Sequence, residues 1–478
     1  MTPSADTPAD RLVLDAVGVA FAALPDDARI AIAFSGGVDS TVLLDAAVRV
    51  AGASRCLAFH VHHGLSANAD AWLAHCDAFA RERSVELASL HVDVSRASGL
   101  SLEATARDAR YRALDALCAQ HDVRTLWLAQ HADDQAETVL LQLLRGAGLA
   151  GLAAMAPEYL PSGASVPRVR PLLHLLRAQL EQYAHARDLR WIDDESNTDT
   201  RYARNALRHD VLPSLAVHFP GFRDALARTA AHAASAQRLL DELARIDLQT
   251  ARGEEEGALS RDALLALDDD RAANLLRYWM RTLGLPAAST ARLTDALRQL
   301  RAIGDAHSLR VDHAGQALRS YRGQVYWEAG DSADPADETA LVERAESVLV
   351  WQGQSVWRLP QWRGTFVFGD ASADSPDAIP ADALTRAPLI ARSRRGGERL
   401  RCVANGPSRT LKNLFQERGV PSWKRDVPLL FAGDALLFVP LIGVNRAARF
   451  DPAQPAGARY IRIDWREDLT LALGAHSV

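Results

Sequence analysis

The residues best suited to chemistry are Ser35-Gly36-Gly37-Val38-Asp39-Ser40. They stand between an apolar run, Arg29–Phe34, and a helical pattern from Ser40 onward. Glycines let a backbone approach a ligand closely and take positive φ. Free amides at a helix N-terminus attract anions, and the hydroxyls of Ser35 and Ser40 add donors. Together they describe a phosphate cradle. It departs from the Walker loop, which carries a lysine, because the first lysine of this chain is Lys412. A plain strand-to-helix turn capped by Ser or Asp is the structural alternative; the whole hexapeptide directly behind an apolar strand weighs against it.

A second constellation is His131-Ala132-Asp133-Asp134-Gln135-Ala136-Glu137-Thr138. Asp134 and Glu137, at i and i+3, share one helix face. Two carboxylates so placed can grip a cationic amine. They also match a capping box with Asp134 as N-cap and Glu137 at N3, and spacing alone leaves both readings open. His131 by itself reads equally well as a satisfied histidine at a sheet end.

The elements that must position these groups follow from periodicity. Arg29–Phe34, Arg55–Val61, Val85–Val94 and Arg124–Gln130 read as strands. Between and after them, Ala69–Arg83, Leu102–Gln120 and Asp134–Leu144 read as amphipathic helices. Strands spaced by helices imply a parallel sheet covered on both faces. Pro157–Pro171 reads as loop, Leu172–Arg187 as helix, and Trp191–Pro213 closes the domain. Residues ~220–302 are Ala/Leu-rich with helical spacing. Ser308–Glu328 and Ser347–Phe368 alternate as strands do, around an acidic linker at Asp331–Glu338, and Asp370–Asp382 is a second linker candidate. Pro388–Ile463 reads as small mixed α/β. The expected fold is therefore α/β: a parallel-sheet nucleotide-binding domain over 1–215, a helical substrate-binding domain over 220–330, and a mixed C-terminal domain over 385–470.

Bulk properties narrow the classes. The 478 residues are 48% hydrophobic and 24% charged, as in soluble multidomain proteins. No apolar run approaches a membrane span, and Met1–Asp10 lacks the pattern of a signal peptide. The four cysteines, Cys56, Cys76, Cys118 and Cys402, form no Cys-x-x-Cys. That argues against a disulfide scaffold or cysteine-held cluster and for a reducing cytoplasm. Net charge is −6, but Arg392–Arg425 holds ten Lys or Arg against two Glu. That window is +8, and the rest of the chain −14. Such a cluster suits nucleic-acid phosphates, with Phe415 and Trp423 reading as core.

The hexapeptide resembles the PP-loop of the N-type ATP pyrophosphatases. In order along the chain come HVHHGLS (His60–Ser66), EATARDARY (Glu103–Tyr111), HADDQAETVLLQLLRGAGLAGL (His131–Leu152), WIDDESN (Trp191–Asn197) and RYARNALRHDVLP (Arg201–Pro213). RSRRGGERLR (Arg392–Arg401) and RTLKNLFQERGVPSWKRDVPLL (Arg409–Leu430) follow. In this order they resemble the bacterial tRNA(Ile)-lysidine synthetase family over essentially the whole chain. The resemblance implies ATP and Mg²⁺ as cofactors, and tRNA(Ile) with a CAU anticodon and free L-lysine as substrates. The wobble cytidine is adenylated at C2, pyrophosphate leaves, and lysine then expels AMP. It further implies that Ser35, Gly36, Gly37, Val38, Asp39 and Ser40 hold the triphosphate, with Asp39 at the metal. Arg107 and Arg110 would act at the α-phosphate, and Asp134 and Glu137 would bind lysine. Arg204, with Asn205 and Arg208, would reach the nucleotide or RNA, the alternative being solvated charge or pairing with Asp193, Asp194 or Glu195. A homodimer is admitted. Three other readings stand behind this one. A PP-loop tRNA thiolase would need reactive cysteines. A small-metabolite ligase would not need the basic cluster. A non-enzymatic RNA-binding protein would not need the phosphate loop.

Overall fold

A computed structural model describes residues 7–64, 66, 68–93, 102–161, 164–193, 199–255, 257–303, 309–329, 343–403, 406–421, 424–446 and 459–468. The acidic linker Asp331–Glu338, Val94, Asp194, Glu195 and Trp423 lie outside the described residues. The chain forms two compact units, Met1–Glu242 and Leu243–Val478.

In the first unit, α1 (Pro8–Ala22) leads into β1 (Ile30–Ala33), α2 (Val38–Ala51), β2 (Cys56–His62), α3 (Ala69–Glu82) and β3 (Glu86–His91). Next come α4 (Leu102–Gln120), β4 (Leu126–Trp127), α5 (Ala132–Leu144), α6 (Leu149–Leu152), β5 (Glu158–Tyr159), β6 (Arg168–Val169) and α7 (Arg177–Ala186). The sheet order is β3-β2-β1-β4-β6-β5, parallel except for the β5–β6 pair. Successive residues of a strand face opposite sides. Ile30 and Ile32 accordingly enter a core with α1, α2 and α7, while Ala31 joins Leu114, Leu117 and Cys118 of α4 on the other face. Burial on both faces is why β1 reads as a continuous apolar run. The strand order reverses beside β1, with β2 on one side and β4 on the other. Open parallel sheets bind ligands at such a reversal, beyond the strands' C-terminal ends. The loop after β1 and the start of α5 after β4 meet there.

Helix α1 lies outside the elements expected from apolar periodicity. The signal was present: Thr7 accepts from the Asp10 amide, Asp10 accepts from the Thr7 amide, and Pro8 opens the helix. After α7 come α8 (Ala203–Ala206), a π-helical turn (Leu207–Val211), α9 (Leu212–His218) and α10 (Phe222–Thr250).

The second unit opens with β7 (Leu259–Ser260), α11 (Arg261–Leu265), α12 (Asp269–Thr282), α13 (Thr290–Ala302), β8 (Leu309–His313), β9 (Gln316–Tyr321) and β10 (Gln324–Ala329). The helices pack Leu275, Leu276, Trp279, Leu297 and Leu300 against Leu318 and Val325 of the sheet β7-β10-β9-β8. Further on are β11 (Ser347–Leu349), β12 (Val356–Leu359), β13 (Gly364–Ala371), β14 (Ala378–Pro380), α14 (Ala381–Thr385), β15 (Leu389–Arg392), β16 (Arg399–Leu400) and β17 (Arg409–Thr410). Then α15 (Leu411–Glu417), β18 (Leu429–Ala432), β19 (Ala435–Val439), β20 (Gly443–Val444) and β21 (Tyr460–Glu467) complete it. They form sheets β11-β15-β18-β19-β20 and β12-β13-β21-β14, with a small β16–β17 pair. The stretch Asp370–Asp382, expected as a linker, instead supplies β14. Its Ile379 is fully buried in the shared core, and Ala and Pro there serve packing rather than flexibility.

Candidate active site

The phosphate loop is built by its own hydrogen bonds. Gly36 sits at φ +85, and a Cβ on it would meet Ile192 Cδ1 at 2.5 Å and Cys76 Sγ at 2.9 Å. Only glycine meets both constraints. Its carbonyl accepts from the Ile192 amide (2.9 Å) and Thr41 Oγ1 (3.2 Å), which ties the loop to the chain after α7 and to α2. Ser40 Oγ donates to the Gly37 carbonyl (3.0 Å) and accepts from the Ser35 amide (3.2 Å), and the two serine hydroxyls lie 3.1 Å apart. Gly37 is the N-cap of α2 and brings no side-chain cap. The first intrahelical bond runs from Thr41 to Gly37, so helix geometry leaves the amides of Val38, Asp39 and Ser40 without an intrahelical acceptor.

Asp39 links this loop to α5. Its Oδ2 lies 3.5 Å from His131 Nε2, and that nitrogen lies 3.4 Å from Asp134 Oδ2. Burial opposes charge on His131. The attraction of Asp39, Asp134 and Asp133 outweighs it and holds the imidazole pKa above its ordinary value. Asp39 Oδ1 is buried without a hydrogen-bond partner among the described residues. An oxygen left bare beside unfilled amides suits a hard cation at the phosphates.

His131, not Asp134, is the N-cap of α5. Asp134 sits at N3, its amide donating to His131 Nδ1 and its Oδ2 accepting from the His131 amide at 3.1 Å. The capping box exists, but three residues earlier than the spacing suggested, because an imidazole nitrogen fills the acceptor role. Glu137 is then free of the cap. It is fully buried and accepts from Arg204 Nε (2.8 Å) and Arg208 Nε (2.7 Å). Arg208 Nη2 also donates to Asp134 Oδ1 at 3.2 Å. Burial disfavours the charged guanidinium of Arg208, but its bonds to Glu137 and the charges of Glu137, Asp134 and Asp39 raise its pKa. The two arginines therefore pair with the constellation on α5. Asp133 meanwhile accepts from the Arg177 amide (2.9 Å) and from Arg223, fastening α5 to the starts of α7 and α10.

Arg107 and Arg110 extend from α4 into the same neighbourhood. Among the described residues neither pairs with a carboxylate. Both lie over the Tyr111 ring, at 5.1 and 5.7 Å, and Arg107 Nη2 contacts the Tyr111 hydroxyl at 3.5 Å. Loss of solvent, together with repulsion from Arg107 and Arg204, draws the Arg110 pKa down. Tyr111 also takes Arg168 on its ring at 4.1 Å, and Arg168 is held by Asp115 at 2.9 Å. This arginine–tyrosine ladder was not found in the sequence. A basic residue every three or four positions around EATARDARY was its only trace. The partners of Glu137 were equally hidden, since they lie 67 and 71 residues away.

In the second unit, Arg394 and Lys412 line a hollow of about 70 Å³ with Gly396, Gly397, Glu398, Thr410 and Leu411. Arg395 pairs with Glu346 at 2.9 Å, and Arg409 with Glu417 at 2.5 Å. Phe415 is fully buried, as expected of core. The thiols of Cys56, Cys76 and Cys118 are buried, which pushes each pKa up to about 12. Such thiols are poor nucleophiles. Among the described residues no helix is long and apolar enough to cross a membrane.

Three protein-family models match successive stretches of the chain. A PP-loop domain family matches residues 14–215, a TilS substrate binding domain family 259–326, and a TilS substrate C-terminal domain family 389–465. A tRNA(Ile)-lysidine synthase of Burkholderia pseudomallei is 63% identical over 491 aligned positions, covering 99% of this chain and 100% of the relative. One from Ralstonia nicotianae is 42% identical and covers 93% of this chain and 94% of its own length. Among solved structures, the U34-tRNA thiolase NcsA from Methanococcus maripaludis, with its [4Fe-4S] cluster, aligns at 16% identity. It covers 47% of this chain and 78% of its own, with a TM-score of 0.41.

Proposed function

The chain belongs to the tRNA(Ile)-lysidine synthase family, and from that premise we propose how its residues divide an ATP-dependent carbon–nitrogen ligation. The substrates are ATP, free lysine and tRNA(Ile) with a CAU anticodon, which the enzyme meets in the cytoplasm. The C2 oxygen of the wobble cytidine attacks the α-phosphate and pyrophosphate leaves. The lysine ammonium then gives up a proton, the free ε-amine attacks C2, and AMP leaves.

The loop Ser35–Ser40 receives the phosphate chain through its amides and hydroxyls. Asp39, with its bare buried oxygen, fits Mg²⁺, which would offset phosphate charge there. Arg107 and Arg110 meet the negative charge that builds on the α-phosphate during attack. Asp134 and Glu137 receive the lysine ammonium. Each of their four oxygens accepts from a donor: the His131 amide, Arg204 or Arg208. An entering lysine ammonium therefore competes with a guanidinium for these oxygens. Arg204 hydrogen-bonds one oxygen of Glu137 and stands 3.7 Å from Asp134, whereas Arg208 hydrogen-bonds both acids, so Arg204 is the more weakly held and is the one that moves. The adenylate's phosphate offers it another partner.

The observation that carries this reading is the continuous ion cluster from Asp39 of the phosphate loop through His131 and Asp134 to Glu137, Arg204 and Arg208. The test is incubation with ATP, Mg²⁺, lysine and tRNA, then mass analysis of the wobble nucleoside and of the released nucleotide. Lysidine with equimolar AMP and pyrophosphate is expected; ADP and phosphate would rule the reading out.

A further inference from the structure

Outside the ion cluster, the ends of β2 and β3 carry a group of side chains to which the proposed reaction assigns no role. We propose that His62, Asp70 and His91 form a binding site for one divalent transition-metal ion of the zinc class, distinct from the magnesium of the phosphate loop. His62 and His91 are register partners on neighbouring parallel strands, so their side chains leave the same face of the sheet. Their ring centroids lie 4.3 Å apart. Asp70 comes from the first turn of α3, and its Oδ1 lies 3.0 Å from His62 Nε2. One donor atom from each of the three residues lies within 4.8 Å of the other two. Tetrahedral donors each roughly 2.0–2.2 Å from one ion stand about 3.3–3.6 Å apart, so the exposed Asp70 and His91 side chains need shift by no more than about 1.5 Å to share an ion with His62.

The donor set decides the ion. Two imidazole nitrogens and a carboxylate oxygen suit zinc and its neighbours, with the fourth position left to water. Magnesium prefers an all-oxygen, octahedral shell. The burial is graded in a way that suits capture. The His62 side chain is 11% exposed and that of Asp70 95% exposed. A fixed imidazole can hold the ion while the carboxylate adjusts around it. Bound there, the ion ties the start of α3 to the ends of two strands. Two residues back on β2, His60 Nδ1 contacts the Phe34 carbonyl at 2.9 Å, and Phe34 immediately precedes the phosphate loop. The clip therefore steadies the sheet edge beside that loop without entering it. A simple His62–Asp70 ion pair is the competing account, and it assigns nothing to His91.

The full-length protein, stripped with a chelator, is dialysed against Zn²⁺ and analysed for bound metal. Co²⁺ serves as a second probe, through the visible absorption of a four-coordinate site. His91→Ala and Asp70→Asn change exposed side chains, and their melting temperatures without metal should match wild type, which shows that they fold. Cys402→Ser controls for a thiol site. One zinc per wild-type chain is expected, with affinity reduced about tenfold or more in both ligand variants and unchanged in Cys402→Ser. Zinc should raise the melting temperature of wild type and of Cys402→Ser, and not that of His91→Ala or Asp70→Asn. Zinc binding equal in wild type and both ligand variants, or absent from wild type, would overturn the site and leave the His62–Asp70 pair alone. Displacement of the zinc by an equal concentration of Mg²⁺ would overturn the choice of ion.

Discussion

Glu137 carries two guanidiniums on a carboxylate with no exposure to water. Removing one partner of a buried ion pair typically costs about 3–5 kcal/mol, because the other charge stays buried. Glu137→Gln keeps the shape and removes the charge, so Arg204 and Arg208 lose their nearer counterion and keep only Asp134. Lower thermal stability is expected, together with a lysine-transfer step slowed about tenfold more than adenylation. Adenylated tRNA should then accumulate in a quenched time course with labelled ATP. If melting temperature falls and both steps slow equally, the acid only shapes the fold. Asp133 offers a cleaner electrostatic test. Burial opposes its charge, but the Arg177 amide and the Arg223 guanidinium outweigh that and depress its pKa below the ordinary 3.8. A depressed folded pKa contributes stability that is fully present above the unfolded value and is lost as pH falls through the folded value. Asp133→Asn should therefore destabilise the protein by about 1–3 kcal/mol at neutral pH. The gap to wild type should close below about pH 4 in urea melts. A gap that stays constant with pH would assign Asp133 a packing role.

The helices and strands around these residues differ in how far the sequence announces them. The β1–loop–α2 unit was legible because each signal is local: an apolar run, two glycines and a helical pattern, all within about twenty residues. Gly36 also carries a long-range constraint that no local pattern contains, its contact with Ile192 and Cys76. Gly36→Ala should strain the backbone by about 1–3 kcal/mol and push against Ile192. ATP affinity should fall about tenfold or more by titration calorimetry. Retained affinity would show that the loop can rebuild itself. The helix caps show the opposite limit. His131 is an uncommon N-cap, so the Asp-x-x-Glu spacing pointed to the wrong residue. The route by which Arg204 and Arg208 reach Glu137 was equally illegible. Pro213 withholds its amide at the start of α9, and the chain makes a π-helical turn over Leu207–Val211 just before it. Such turns re-aim side chains, and here Arg208 reaches Asp134 as well as Glu137. Composition also misdirected the reading of Asp370–Asp382. Its Ser, Asp and Pro suggested a linker, while alignment with β21 made part of it a strand.

Across the whole molecule, charge is separated along the sequence: +8 within Arg392–Arg425 and −14 elsewhere. An acidic protein that must hold a polyanion needs a region where the local potential is reversed. The basic stretch supplies it, though not all of its charge is available. Arg395 shares its charge with Glu346, and Arg409 with Glu417. Arg394 and Lys412 line the hollow beside Gly396 and Gly397, and Arg399 is exposed nearby. Phosphate contacts position a nucleic acid without reading its bases, so these cations should add affinity and leave chemistry alone. Replacing Arg394, Arg399 and Lys412 with Ala should weaken tRNA binding. Each lost contact should flatten the slope of log affinity against log salt by roughly 0.7–0.9. ATP binding should be unchanged, because the phosphate loop belongs to the other compact unit. With saturating tRNA, lysidine formation should approach the wild-type rate, which separates binding from catalysis. Affinity measured across a salt series, with a melting curve for the variant, checks all of this. A folded variant with wild-type slope and affinity would place the tRNA contacts elsewhere. The exposed arginines of the first unit would then be the next to replace, beginning with Arg201, whose only counterion among the described residues is the neighbouring Asp199.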